Sequence, residues 1–515
     1  MIMFKNNNKN YLYILIVYII FSLIYLASEY ATSSHEMGVP LDDTWIHFRF
    51  AENFASGHFY EYNLDEPTPG TTSPIWVILL SVPFFISKNL VIIYSLILTS
   101  LFFLLTCFAV YKLSLRIGFD KNYSMLITAL TLLNGRLIWS SLSGMEMTLC
   151  CFLCVLVFLN HLKEIEFKKI YITTGILLGL CVVTRPECYL LALLYYLVTL
   201  FLLRKNLRSN IVNLSFSLLL FLIIIIPYPI FCYIHTGIFL PNTFKGQTAG
   251  FRIIPDYIYM RETARLFFKD NFLVMTLWLS GTVYFIITLI KKKIETRYLL
   301  INLWILLLPL SSVFIAPFYR HYGRYLIPLI PFINIVSINI LQKFFEILKG
   351  KNNISLRKYP AVITSLLIFF SLTGAGYYGY LLGWNVENIK DQQIKIAHWI
   401  NKNIPDEKVI AVNDIGALTY ITDKKIVDME GLVTPEILRI KEQSLENQPV
   451  NMMRELKKNN VNYIIIYPDW YKGIMKDYSA NFEQLYTARL ARNTICGDVE
   501  MFVYKINWDR INLNQ

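Results

Sequence analysis

Two neighbouring acids, Asp42 and Asp43, open the run Asp-Asp-Thr-Trp-Ile-His-Phe-Arg that ends at Arg49. They follow the first apolar stretch of the chain, so they are expected at a membrane surface on the side opposite the N-terminus. A carboxylate there can take the proton from a weak hydroxyl nucleophile as it attacks. Asp42 is read as that base, and Asp43 as its alternate. On a helix, Asp43 and His47 are four apart and share a face, as two ligands of a divalent cation would; Asp42 and Arg49 are seven apart and are expected to form an ion pair. The favourable field at a helix N-terminus also accounts for an acid at position 43 without any chemistry.

The elements that position these acids are apolar helices. The chain has 515 residues, 55% hydrophobic and 16% charged, too little charge to cover a soluble surface of that size. About 20 apolar residues cross a bilayer, and that rule gives about eleven spans: 11–28, 90–111, 123–139, 147–160, 170–183, 188–203, 211–234, 272–290, 298–316, 325–341 and 360–382. The shorter apolar run Pro74 to Ile86 suits a re-entrant or interfacial helix, with Trp76 at the interface beside a groove for a lipid tail. With that run left out, Lys5 and Lys9 and the basic linkers around Lys112, Lys163, Arg204, Lys291 and Lys343 all fall on one side, which is therefore cytoplasmic. The first stretch lacks a small-residue cleavage site and is read as an uncleaved anchor.

The formal charge of +12 comes from short clusters between apolar runs, the mark of topology and not of a nucleic-acid surface. Seven of the eight cysteines lie in or beside apolar runs, so no disulfide framework is expected. Cys150, Cys151 and Cys154 lack a nearby histidine or fourth cysteine and are read as buried packing. The span centres carry no acid or base, which counts against an ion-coupled transporter. An exporter or flippase of lipid-linked sugars is the alternative to an enzyme, and would show a polar cavity through the spans.

Five outer loops collect polar residues: Asp42-Asp43, Gly144-Met145-Glu146, Thr184-Arg185-Pro186-Glu187, Leu240-Pro241-Asn242-Thr243-Phe244-Lys245 and Arg320-His321-Tyr322-Gly323-Arg324-Tyr325. With Pro69-Gly70-Thr71-Thr72-Ser73-Pro74, Arg324-Tyr325-Leu326-Ile327-Pro328 and the tail's Asn413-Asp414-Ile415-Gly416-Ala417, this order resembles the bacterial GT-C superfamily of glycosyltransferases, in particular its arabinofuranosyltransferase-like branch. The resemblance implies a polytopic α-helical membrane enzyme that takes a sugar from a polyprenyl-phosphate carrier and delivers it, with inversion in the sense of a single displacement, to an extracytoplasmic glycan, lipid or protein of the bacterial cell envelope. It implies no nucleic-acid partner. The lipid phosphate that leaves needs cations to stabilise its growing charge. Arg320 and Arg324 offer the bidentate fork and rank first, with Lys245, His321 and Arg185 behind them. Glu146, Glu187, Asn242 and Asp414 are read as substrate-binding groups. Superfamily members differ in metal use, so a divalent cation at Asp43 and His47 stays open.

Past residue 383 the pattern changes. Helices are expected at 391–404 and 451–459, and strands at 408–412, 462–466 and 499–506, so residues 383–515 form a small extracytoplasmic α/β domain beside a membrane module of residues 1–382. Asp414 follows directly on a strand, where α/β sheets commonly bind ligands. This topology makes a reporter fused at Asp391 extracytoplasmic and one fused at Lys292 cytoplasmic. The opposite reading at either position would overturn the arrangement of spans.

Overall fold

In the computed structural model, the described residues are 8–247, 253–315, 317, 319–349 and 359–513. Eight helices among them are long and apolar enough to cross a membrane, from Lys9–Thr32 to Pro360–Asn403. Among the described residues, the runs expected to span are helical over most of their length. Those at 170–183 and 188–203 form helices of 13 and 15 residues, which at about 1.5 Å per residue are shorter than a hydrocarbon core of about 30 Å. The run at 123–139 is interrupted by Asn134, whose side chain accepts from the Leu137 amide at 3.1 Å and starts a new helix. Capping residues offer the backbone an alternative to continued helix, and the apolar pattern conceals that break.

The chain divides into two compact units. The first comprises Met1–Ala27, Leu96–Ile226 and Ala249–Tyr380. Its helices include α1 (Asn8–Thr32, up to residue 27), α4 (Val91–Ile117, from residue 96), α5 (Lys121–Leu132), α6 (Gly135–Ser141), α7 (Met147–Phe167), α8 (Ile172–Thr184) and α9 (Cys188–Leu202). Close helix packing in an apolar medium relies on small residues. A Cβ on Gly175 of α8 would lie 1.9 Å from the carbonyl oxygen of Ser217, so only glycine permits that crossing.

One ion pair fixes the polar end of this unit. Arg136 of α6 is fully buried. Its Nε donates to Asp270 Oδ1 at 2.9 Å and its Nη2 to Oδ2 at 2.5 Å, while Nη1 donates to the Tyr322 carbonyl at 3.1 Å. The bidentate geometry offsets the cost of removing both charges from water. Through Tyr322, the same guanidinium braces the turn that carries Arg320 and Arg324.

The second unit comprises Ser28–Ser95, Pro227–Thr248 and Leu381–Gln515; it takes in residues 28–95 and 227–248, which the sequence pattern alone leaves with the membrane module. Its sheet has the order β2-β1-β3-β5-β4, formed by β1 (Val409–Val412), β2 (Ile426–Asp428), β3 (Val461–Ile466), β4 (Phe482–Arg489) and β5 (Glu500–Ile506). The first three strands are parallel, and β5 runs antiparallel to both β3 and β4. Expectations for β1, β3, β5 and the helices Lys395–Asn403 and Gln448–Lys458 agree with this arrangement. β2 is only three residues long and β4 has a single buried residue, so neither shows the alternation that marks a half-buried strand.

Helix α2 (Asp42–Ala55) and α3 (Pro74–Ser81) pack within this unit. Trp76 is completely buried, which corrects the expectation of an interfacial ring: it is a packing residue. The exposed apolar surface of this stretch comes instead from its far end, where Phe85 and Ile86 are 73% and 78% exposed. Arg49 also departs from expectation. It pairs with Asp423 at 2.5 Å and Glu52 at 3.3 Å and donates to the Tyr62 carbonyl; Asp42, at the start of the helix, is engaged elsewhere.

Asp42 accepts the backbone amides of Gly416 and Ala417, each at 2.8 Å, one on each carboxylate oxygen. The two segments approach so closely that a Cβ on Gly416 would sit 2.0 Å from the Asp42 carbonyl oxygen and 2.7 Å from its Cγ. Gly416→Ala should therefore push the two segments apart, at the cost of about 1–3 kcal/mol typical of overpacking. The expected outcome is a lower thermal midpoint in detergent; an unchanged midpoint would mean that the contact is not tight.

Candidate active site

Asp42, Asp43 and Asp414 of the second unit lie close enough to repel one another. Asp42 and Asp43 open α2 on its N-terminal turn, where apolar Trp45 and Phe48 anchor the helix against Tyr420 with ring centroids 5.3 and 5.9 Å away. Tyr62 adds a second tie by donating to the Ile415 carbonyl at 2.7 Å. These contacts deliver the Asp42 side chain to the turn after β1, on which Asp414 also lies.

Asp414 is itself held by two neutral donors, Tyr467 at 2.7 Å and Gln393 at 2.8 Å, both on Oδ2. Enclosure by protein pushes the Asp42 carboxyl up to about 8, and the charge of Asp414 adds to that rise while the two amides oppose it. The same enclosure raises Asp414 to about 6, against the hydrogen bonds from Tyr467 and Gln393, with Asp43 and Glu430 contributing further repulsion. Like charges in a poorly solvated place cannot all ionise together. The pair is thus a store for a proton near neutral pH, and each Asp42 oxygen keeps a lone pair beyond the one its amide occupies.

Around the cluster, the loop from Pro69 to Pro74 is gripped by the segment after Pro241. The Asn242 amide donates to the Pro69 carbonyl at 3.0 Å, and the Thr243 hydroxyl to the Gly70 carbonyl at 2.6 Å. Asn242 is buried and its side chain donates to the Leu432 carbonyl at 3.4 Å, so in this structure it organises loops. Lys245 belongs to the helix Asn242–Gln247, and its side chain lies outside the described residues. Glu430 is paired with Lys441 at 2.7 Å and accepts from Tyr471 at 2.5 Å.

The first unit carries the cationic candidates. Arg185, 3% exposed, is ion-paired with Glu146 and, at 2.7 Å, with Glu187. Burial alone would lower the Arg185 pKa, but the two carboxylates more than reverse that and hold it well above the usual value. Its charge is already matched within the protein. Arg185 and Arg324 both approach the Tyr325 ring, at 4.4 and 5.4 Å from its centroid. Arg324 is 5% exposed, whereas Arg320 is exposed. Between them His321, Tyr322 and Gly323 adopt φ values of 51°, 58° and 62°. Consecutive left-handed residues with side chains are costly, and the turn is kept by the Arg136 bond and by Tyr322 packed edge-on against Trp139 and Tyr378.

Among the described residues, the groups of three potential metal ligands are Cys150, Cys154 and Cys188, and His58, Glu61 and Asp65. Asp43 and His47 belong to neither, and His47 is buried at 6% exposure. Sequence reading passed over Gly416, Tyr467 and Gln393, which hold the acids. Gly416 and Asp414 stand in one motif, so the glycine was visible there; Tyr467 and Gln393 carry no local signal. It also passed over Arg136 and Asp270, hidden at the ends of apolar segments.

A family described as a domain of unknown function (DUF8728) matches residues 387–504. No curated protein matches the chain. Among solved structures, ArnT from Cupriavidus metallidurans bound to undecaprenyl phosphate is similar with a TM-score of 0.59 at 12% identity, covering 95% of this chain and 97% of that one. The oligosaccharyltransferase of Archaeoglobus fulgidus in its apo form gives 0.55 at 13% identity, covering 99% of this chain and 76% of that one. The archaeal oligosaccharyltransferase AglB from the same organism, in complex with an inhibitory peptide and a dolichol-phosphate, gives 0.54 at 12% identity, with coverage of 98% and 75%. With its apolar helices and C-terminal sheet, this multi-pass membrane protein has the fold of the GT-C glycosyltransferases.

Proposed function

We propose that this protein is a membrane glycosyltransferase that moves a sugar from a polyprenyl-phosphate donor to an extracytoplasmic glycan, lipid or protein, with inversion at the anomeric carbon. The arabinofuranosyltransferase-like branch is the narrower form of the same proposal. The observation that carries it is Asp42: an acid on the first polar segment of a GT-C fold, oriented by two amides and raised to about 8. Two of the similar structures hold undecaprenyl phosphate and dolichol-phosphate, respectively, which supports a lipid-phosphate donor here.

In this reading the Asp42 carboxylate takes the acceptor hydroxyl proton as the new bond forms and the lipid phosphate leaves, a step that needs no covalent intermediate. A base of raised pKa binds the proton more strongly once ionised, and its orientation by Gly416 and Ala417 is set before substrate arrives. Asp414 tunes Asp42 through its charge. Arg324 and Arg320 are the cations for the departing phosphate, in preference to Arg185, which two carboxylates already neutralise. The active face and the sheet-bearing unit are outside the bacterial cytoplasmic membrane.

The pH dependence follows from the sign of the shifts. A base must be unprotonated, so kcat/KM should rise as pH increases from about 6 to above 8, in apparent steps that belong to the Asp42 and Asp414 pair together. Asp42→Asn keeps the shape but cannot take the proton, and should lower turnover by about 10² to 10⁴ and flatten that rise. The assay is transfer from a panel of labelled polyprenyl-phosphate sugars to envelope acceptors by purified protein. Wild-type turnover with an unchanged profile in Asp42→Asn would remove Asp42 from the role; absence of transfer from every donor would remove the glycosyltransferase reading.

A further inference from the structure

Four thiols gather in the first unit, and none of them is among the residues used above. Cys150 and Cys154 lie four apart on one face of α7, Cys181 lies in the last turn of α8, and Cys188 is the first residue of α9. The spacing along α7 puts the first two on one side by helix geometry. The fold then supplies thiols from α8 and α9 that the sequence around Cys150 lacks.

The geometry is that of a ligand set. The sulfurs of Cys150, Cys154 and Cys188 all lie within 4.8 Å of one another, and those of Cys150 and Cys188 are 3.6 Å apart. Cys181 adjoins them, near enough to interact with Cys154 and Cys188, although its sulfur is outside the set that lies within 4.8 Å. A tetrahedral tetrathiolate with metal–sulfur bonds of about 2.3 Å separates its sulfurs by about 3.8 Å. All four residues are 0–1% exposed, and all four are free thiols, not disulfide-bonded. Packing accounts for a buried thiol anywhere in a core, but it does not require three of them, from α7 and α9, at one point with a fourth from α8 beside them.

We propose that Cys150, Cys154, Cys181 and Cys188 bind a thiophilic closed-shell cation, Zn²⁺ or Cu⁺. Each thiol that becomes a ligand releases its proton to solvent, and the cation keeps its oxidation state, so no oxidant or reductant takes part. The site joins α7, α8 and α9 at the end where the Thr184–Glu187 loop begins and ends. It is also one turn from the buried ion pair: the Cys150 amide donates to the Glu146 carbonyl at 3.0 Å, and the Cys188 amide to the Arg185 carbonyl at 3.1 Å. A cation there fixes the backbone that aims Glu146 and Arg185. This inference rests on the thiol geometry and not on the proposed transferase activity.

The test uses the full-length protein purified in detergent under reducing conditions. It is incubated separately with Zn²⁺ and with Cu⁺ kept reduced, desalted, and assayed for retained metal; Co²⁺ is used in parallel for its thiolate-to-metal charge-transfer absorption. About one equivalent of Zn²⁺ or Cu⁺ per chain is expected, with the cobalt band present, in wild type and in a Cys107→Ser, Cys232→Ser control. Retention and band should be lost in Cys154→Ser and in Cys181→Ser, with size-exclusion profiles reporting that each is folded. The wild-type measurement is decisive even where a variant fails to fold. No retained cation and no band in wild type would overturn the proposal, as would equal retention by folded Cys154→Ser. Recovery of Cys150 joined to Cys188 as a disulfide, by mass spectrometry after alkylation of free thiols, would overturn it in favour of a covalent link.

Discussion

The carboxylate of Asp42, closed between the amides of Gly416 and Ala417, is the contact on which the second unit turns. It joins positions 374 apart in the chain, and it demands three things of the sequence at once. The acid must open a helix, the residue facing it must be glycine, and a helix must begin at 416 so that its first amides point outward without intrahelical partners. The surrounding contacts support the same docking: Tyr62 bonds to the Ile415 carbonyl, Asn63 exchanges hydrogen bonds with Ile426, and Arg49 reaches Asp423. α2 is thereby a layer of the sheet-bearing unit as much as a sequel to the first membrane helix.

Charge is handled differently in the two units. In the first, two buried arginines are compensated by carboxylates: Arg136 by Asp270, and Arg185 by Glu146 and Glu187. A cation left unmatched in such a place would cost several kcal/mol, so these pairs hold architecture. In the second, Asp42 is held by two backbone amides and Asp414 by the side chains of Tyr467 and Gln393, all neutral donors. Burial and mutual repulsion raise both carboxyls, so neutral donors leave this pair able to exchange a proton where an arginine would have kept it ionised.

Much of this was legible in the sequence because the bilayer and the helix impose long, regular patterns. The apolar runs, the short helix at Pro74 and the strands β1, β3 and β5 follow from hydrophobic length and alternation. The acids at 42 and 43 stood out because charge beside an apolar run is rare. What escaped was set by tertiary contact: Asn134 breaks a helix by capping, Trp76 is covered by the chain around it, and Arg49 finds Asp423 rather than Asp42. The thiols make the same point. Cys150 and Cys154 show a helical spacing, but Cys181 and Cys188 reach them only because α8 and α9 return to the same end of α7. The sugar is absent from these patterns because specificity rests on the shape of a few loops, which neither hydropathy nor spacing encodes.

The second unit is drawn from three separate stretches of chain, and that has a bearing on biosynthesis. When a ribosome has made residue 42, the amides that will receive its carboxylate do not yet exist. Seven of the eight long apolar helices must still be synthesised and inserted before Gly416 emerges. During that interval Asp42, Asp43 and the aromatic face of α2 are without their docking surface, and the early loop depends on the lipid headgroup region or on folding helpers for shelter. Completion of the acid cluster is thus a late event in the life of the nascent chain, so an interrupted translation product could fill a membrane with helices while lacking its assembled acid cluster.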